Sequence, residues 1–336
     1  MRGCKLFICI GRFAISIGMI VSGLATGVQA FQIQDPVSAM RLPKVSQEEM
    51  AEMLGLESGE FPSWARVLAT SLPKTTLSML ELDAVHRMRN PLGTELAARL
   101  RLAVAAEMDC PYAAVLARHD LYRVANSETI DLMAEEKFMD VGEAFARRLT
   151  SSASHITDAE FQRVVDHYGV ETTVAIVHTV AYANFQNRLF CALGLTADDS
   201  NQGVVQPVRV EGGAEVATPA RPDWESIFQQ PQRAVPVARP KWSHHGFAEI
   251  ELSVQSQMDR VPRVPLPPDE LIDRLPEPAR SRARRVVWSA ISMGYQPQLT
   301  RPWFETMRTF QEEAQLDRVF SNSMFWVVTR TSECFY

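Results

Sequence analysis

Residues 96–112 read LAARLRLAVAAEMDCPY, and this stretch decides the fold that the sequence predicts. Its first eleven residues are rich in Ala and Leu, which form helices readily, and the small Ala side chains permit close helix packing. Pro111 suits the first position of a following helix, because its missing N–H needs no partner there. We therefore expect two consecutive helices, with Cys110 as the N-cap of the second.

Helical signals continue on both sides of this stretch. Ser46 with Glu49, and Thr157 with Glu160, have the spacing of capping boxes at helix N-termini. Residues 174–193 are apolar nearly all round, which is typical of a buried central helix. No run alternates apolar and polar residues with a period of two, so strands are few or absent and the predicted fold class is all-α.

The chain divides by composition into a helical domain over residues 46–196, a Pro-rich linker over 197–268 and a second helical block over 269–336. In the second block we expect three helices, at Pro278–Met293, Pro302–Ala314 and Gln315–Thr331.

The chain closes on the residues TSECFY, which repeat the order acidic residue, Cys, any residue, Tyr of residues 109–112. The second block is therefore interpreted as a weak internal repeat that is cut short. From this we expect a fragment, a frameshifted product or a chain that a partner completes, because no following helix covers the apolar side of residues 315–331.

Residues 1–30 have the pattern of a secretory signal peptide. Three basic residues precede an apolar run at 13–27, and Val28-Gln29-Ala30 matches a small-x-Ala cleavage site. The run is short for a transmembrane helix, and an uncleaved anchor is the alternative. We expect an exported protein, periplasmic or secreted, with no stable membrane span after cleavage.

Charge and composition exclude some classes of partner. The chain has 336 residues and a formal net charge of -6, without a run rich in Lys and Arg, so a nucleic-acid partner is not expected. His244 and His245 are adjacent and face different ways, and no Cys or His cluster has the spacing of metal ligands. We expect neither a metal nor another cofactor.

The chain resembles the carboxymuconolactone decarboxylase and alkylhydroperoxidase D (AhpD-like) family of all-helical proteins. The residues that carry the resemblance are RLAVAAEMDCPY at 101–112, His119-Asp120-Leu121, ITDAEF at 156–161 and NFQNRLFCALGL at 184–195. The resemblance covers roughly residues 60–196, with a partial second copy in the second block. It implies an oligomer, which we expect to be a homo-oligomer.

The resemblance also implies a site. Peroxidases of the family use Cys-x-x-Cys with a His four residues later and a carboxylate on the preceding helix; the second Cys attacks the peroxide and the first resolves it. Cys110 matches the first Cys, whereas Ala113 and Ala117 stand at the second Cys and the His. No carboxylate lies between Glu95 and Glu107.

Two cysteines remain as candidate catalytic residues, Cys110 and, in the second copy, Cys334. A thiol at a helix N-cap has a lowered pKa, which favours a reactive Cys110, whereas Asp109 opposes this; a buried, inert thiol is the alternative. His119 lies about 180° from Cys110 on a straight helix, so it cannot replace the missing His. We expect no other sulfur or imidazole beside Cys110, and Cys191 is interpreted as a core residue.

Disulfide pairing stays open at this point. Cys110, Cys191 and Cys334 are an odd number in the mature chain, so at least one thiol is free or intermolecular. A bridge between Cys110 and Cys334 is one possibility.

A polar stripe lies on an otherwise apolar helix and consists of Asn184, Asn187 and Arg188. These side chains either bond to neighbouring helices or face a ligand.

Two functions are therefore open. The first is a non-catalytic helical scaffold or binding module with degenerate redox motifs. The alternative is a peroxidase-like thiol antioxidant that uses Cys110, with a peroxide substrate and a thiol reductant as partners, active when the second copy is complete. The decarboxylase branch of the family does not need the Cys pair, but the sequence offers no base and no anion site for it.

Overall fold

A computed structural model describes residues 42–55, 60–124, 140–200, 246, 248–249, 251–252 and 261–331. The predicted signal peptide, most of the predicted linker and Cys334 lie outside the described residues. Within the described ranges the protein is all-α and contains no strand, which confirms the predicted fold class. None of the described helices is long and apolar enough to cross a membrane.

The first block contains seven α-helices within the described residues. They are α1 (Gln47–Leu54), α2 (Ser63–Leu68), α3 (Pro73–Met88), α4 (Thr94–Glu107), α5 (Pro111–Tyr122), α6 (Val141–Ser152) and α7 (Asp158–Leu193). Short 3₁₀ segments at Ala153–His155 and Ala197–Ser200 follow α6 and α7. The C-terminal block adds α8 (Asp269–Asp273), α9 (Ala279–Ala283), α10 (Val287–Tyr295), α11 (Pro297–Ala314) and α12 (Arg318–Thr331).

Local sequence signals position several of these helix ends. Both predicted capping boxes form: Ser46 bonds to the backbone of Glu49 at α1, and Thr157 bonds to the backbone of Glu160 at α7. Cys110 is the N-cap of α5, as its place before Pro111 predicts. Short-range capping chemistry is therefore a sufficient guide at these positions.

Helix α7 is longer than the predicted central helix and has a kink. Gly169 has φ 76° and ψ 168°, which is not helical and separates α7 into two straight parts. The second part is largely buried, although Phe185, Arg188 and Cys191 are exposed. The assignment of Cys191 to the core is therefore wrong, because the helix keeps one exposed stripe despite its apolar composition.

The helices predicted for the second block differ from those observed. Residues 278–293 form two helices, since Val286 is extended between them (φ -130°, ψ 109°). Helix α11 begins at Pro297 and carries Pro302 inside it, whereas the sequence predicts a start at Pro302. Gln315 has φ 47° and breaks the chain before α12, where Asp317 accepts from the backbone N–H groups of Val319 and Phe320, both at 3.0 Å.

The C-terminal block packs directly on the first block through α10 and α11. Leu299 of α11 is fully buried against Val85 of α3 and Ala175 of α7. Glu313 lies at the N-terminus of α3 and accepts hydrogen bonds from the backbone N–H groups of Lys74 (3.0 Å) and Thr75 (2.7 Å). The interpretation of this block as an incomplete repeat stays a prediction.

Candidate functional site

The first candidate site is the thiol of Cys110, at the junction of α4 and α5. The backbone N–H of Cys110 donates to the carbonyl of Ala105 at 2.9 Å, and Asp109 before it has a left-handed φ of 49°. This tight turn directs the Cys110 side chain inward, where it packs with Trp64, Tyr112 and Phe190 in an aromatic-rich core. Only 2% of the residue is exposed.

Burial decides the acidity of this thiol. The pKa of Cys110 is raised to about 12, first because burial disfavours the thiolate, and further because of the nearby Cys191 thiol and the Asp109 carboxylate. The backbone N–H of Ala113 lowers the pKa but does not offset these effects. Of the two interpretations of Cys110 that the sequence leaves open, these features favour the buried, inert thiol, because the effect of burial on the pKa is larger than that of the Ala113 N–H.

A second sulfur lies beside Cys110. The Cys110 Sγ donates to the carbonyl oxygen of Asn187 on α7 at 3.8 Å, and the thiol of Cys191, one helical turn further on, is near enough to raise the pKa of the Cys110 thiol. The expectation that Cys110 has no neighbouring sulfur is therefore wrong. The pair was missed because the two cysteines are distant in sequence and meet only through the packing of α5 on α7.

The positions that the sequence resemblance aligns with a second Cys and a His lie on the same buried face as Cys110. Ala113 and Ala117 are both buried residues of α5, about one and two helical turns beyond Cys110. Their methyl groups supply neither a nucleophile nor a base. His119 lies on a different side of α5 and is partly exposed. Cys334, the other candidate catalytic residue, lies outside the described residues.

The second candidate site is a cluster of buried charges between α3, α4, α5 and α7, which sequence reasoning missed. Asp120 of α5 is fully buried and accepts from three guanidinium nitrogens. Arg87 of α3 contributes Nε and Nη2, each at 2.8 Å, and Arg101 of α4 contributes Nη2 at 2.7 Å. These charge-assisted bonds join three helices at one carboxylate.

The cluster continues from Arg87 to α7 through a second carboxylate. Asp83 accepts from Arg87 Nη1 at 3.1 Å, from the hydroxyl of Tyr182 at 2.8 Å and from Nε2 of Gln186 at 2.7 Å. His86 stacks on Tyr182, with ring centroids 4.1 Å apart. Two arginines and two aspartates balance in charge, which is the condition for retaining ions in a protein interior.

The pKa values of Asp120, His86 and His178 are all lowered in and beside this cluster. Burial raises the pKa of Asp120, but Arg101 and Arg87 overcome this and hold it well below its usual value. Burial, and then His178 and Arg101, keep the pKa of His86 well below 6.5. Burial lowers the pKa of His178 to about 4. Both imidazoles are therefore uncharged at neutral pH.

Two buried atoms of the cluster lack a hydrogen-bond partner among the described residues, Nη1 of Arg101 and Nδ1 of His86. The spacing of Asp83 and Arg87, and of Tyr182 and Gln186, by one helical turn was the available sequence signal. It does not reveal that the two pairs meet.

Within the described ranges, no group of three or more ligating side chains could hold a metal ion.

Of the polar stripe on α7, Asn184 donates to Thr150 Oγ1 at 2.9 Å, which is a bond to a neighbouring helix. Asn187 is buried, and its Nδ2 has no partner within the described part of the chain. Arg188 is exposed. The three residues therefore do not face one ligand together.

No protein-family model, curated protein or solved structure matches this chain.

Proposed function

We propose that this chain is a non-catalytic helical scaffold or binding module, related to the carboxymuconolactone decarboxylase and alkylhydroperoxidase D family and exported as a homo-oligomer. The observation that carries the proposal is the state of Cys110. Its thiol is buried and protonated at neutral pH, whereas the thiolate is the nucleophile in cysteine chemistry. The alanines at 113 and 117 leave α5 without the groups that would activate it.

The charged cluster supports the same proposal. Each of its two carboxylates accepts three hydrogen bonds, so neither is free to accept a proton from a substrate. His86 is buried, His178 is partly buried, and both imidazoles are uncharged at neutral pH. Such a network fixes the relative positions of four helices, which suits a scaffold more than a general acid or base.

Alkylation under native conditions tests the proposal. We expect iodoacetamide at neutral pH to leave Cys110 unmodified in the folded protein and to modify it after denaturation, with the site identified by peptide mass spectrometry. The exposed Cys191 serves as an internal positive control. Modification of native Cys110 as fast as Cys191 would contradict the proposal.

The second candidate function is a peroxidase-like thiol antioxidant, and the nearby Cys191 sulfur is the observation that favours it. Here the exposed Cys191 would attack the peroxide and Cys110 would resolve the product. The candidate predicts rapid oxidation of both thiols by one equivalent of hydrogen peroxide. Oxidation no faster than that of a free thiol would exclude it.

A further inference from the structure

Cys110, at the N-terminus of α5, contacts the last turns of α7, which carry Cys191. The Cys110 Sγ lies 3.8 Å from the carbonyl oxygen of Asn187. In an α-helix the backbone N–H of residue 191 bonds to the carbonyl of residue 187, so both cysteines converge on one carbonyl group. A helical side chain also leans toward the N-terminus of its helix, which directs the Cys191 sulfur back toward that carbonyl.

We propose that Cys110 and Cys191 form a reversible disulfide by exchange with a low-molecular-weight disulfide, and that this bond fastens the start of α5 to the end of α7. The difference in exposure fixes the order of events. Cys191 is exposed and meets the disulfide first, whereas Cys110 is buried and can react only with a sulfur already held beside it.

The exchange balances in two steps. The Cys191 thiol loses its proton to solvent, and its thiolate attacks one sulfur of the small disulfide, breaking that S–S bond and releasing one small thiolate. The Cys110 thiol then loses its proton and attacks the Cys191 sulfur, which releases the second small thiolate. The two protein thiols are oxidised by two electrons, and the small disulfide is reduced to two thiols, which take up the two protons.

The bond would connect two of the helices that carry residues of the charged cluster. Helix α5 carries Asp120, and α7 carries Tyr182 and Gln186, which bind Asp83. A covalent link between these helices constrains the unfolded chain and resists separation of the helices. The disulfide does not depend on the proposed function, since a scaffold and an enzyme could equally contain it.

The experiment incubates the full chain in a series of buffers with increasing ratios of oxidised to reduced glutathione. Remaining thiols are trapped with iodoacetamide in acid-quenched, denatured samples, and peptide mass spectrometry identifies the paired cysteines. We expect one dominant linked peptide, joining Cys110 to Cys191, which disappears with excess dithiothreitol. The oxidised protein should show a higher midpoint of thermal unfolding than the reduced protein.

Three matched variants separate the steps. Cys110→Ser should stop at a mixed disulfide between glutathione and Cys191, and because Ser is a good N-cap, this variant retains the start of α5. Cys191→Ser should leave Cys110 unmodified by glutathione in the folded state. Cys334→Ser should still form the linked peptide. Circular dichroism checks that all three variants fold.

Several results would overturn the proposal. One is the absence of a linked Cys110–Cys191 peptide at every glutathione ratio in the folded wild-type protein. Another is a dominant pairing of either cysteine with Cys334, and a third is a linked peptide without any rise in the unfolding midpoint. Slow alkylation of Cys110 with a normally formed disulfide would leave both proposals standing, so failure of one is distinguishable from failure of the other.

Discussion

Arg87 and Asp120 form a two-pronged ion pair in the protein interior, with both oxygens of the carboxylate bonded to the guanidinium at 2.8 Å. Arg87 lies on α3 and Asp120 on α5, so the pair spans two helices. Burial lowers the pKa of Arg87, but Asp83 and Asp120 overcome this and keep the guanidinium charged. The packing of the helices around the cluster therefore depends on the pairing of its opposite side-chain charges.

Removing the central carboxylate should be strongly destabilising. Asp120→Asn keeps the size of the side chain but leaves two buried guanidinium groups without their shared counter-ion, so we expect a loss of about 3–5 kcal/mol in the free energy of unfolding. Urea denaturation followed by circular dichroism measures this. Glu312→Gln, which removes an exposed partner of Arg308, is the control and should have little effect. A loss below about 1 kcal/mol for Asp120→Asn would show that the cluster is not structural.

Acid should destabilise the protein through His86 and His178. The pKa of His178 is lowered by burial to about 4, and that of His86 is well below 6.5. As pH falls through about 6.5 the unfolded chain binds protons that the folded chain does not, so stability decreases, by up to about 1.4 kcal/mol per pH unit for each histidine.

Denaturation midpoints measured from about pH 7 to about pH 5 check this dependence, because most carboxylates stay ionised in that window. His178→Asn should make the dependence shallower, since one of the two groups no longer titrates. His155, which is exposed, gives the matched control His155→Asn with an unchanged slope. An equal slope in the wild type and His178→Asn would contradict the prediction.

Glu313 should act as a remote cap for α3. Its carboxylate accepts from the backbone N–H groups of Lys74 and Thr75 and from the hydroxyl of Thr75 at 2.7 Å. Glu313→Ala should therefore cost about 1 kcal/mol, the usual value for a lost N-cap. The neighbouring Glu312→Ala is the control on the same helix. Equal stability changes for the two variants would exclude the capping role.

Leu299 should couple the two helical blocks. It is fully buried between Val85 and Ala175, so Leu299→Ala leaves a cavity and should cost about 2–5 kcal/mol. We expect the lower midpoint to apply to the whole helical signal in a single transition. Met307→Ala, at a more exposed position of α11, should change the midpoint little. A separate early transition for the C-terminal block would contradict this coupling.

Local signals made part of this structure predictable from sequence. The capping boxes and the Cys110 N-cap depend on residues within a few positions of one another, and they form as expected. The predicted start of α11 was wrong because both Pro297 and Pro302 suit the first turn of a helix. Only the packing of Leu299 on the first block favours the start at Pro297.

The candidate sites were less predictable because their residues are distant in sequence. Asp83, Arg101 and Asp120 read separately as ordinary helix-surface charges, and only the packing of α3, α4 and α5 brings their side chains together. The same holds for the two cysteines. Composition suggested a core position for Cys191, whereas it lies on the exposed stripe of α7, near Cys110.

Steady-state peroxide consumption is the most direct test of the proposal that this protein is a non-catalytic scaffold or binding module. Hydrogen peroxide and an organic hydroperoxide would each be supplied with excess thiol reductant, and the wild type would be compared with Cys110→Ser and Cys191→Ser. The account predicts that all three proteins consume peroxide at the rate of the reductant alone. Multiple turnovers by the wild type that disappear in Cys110→Ser would contradict it.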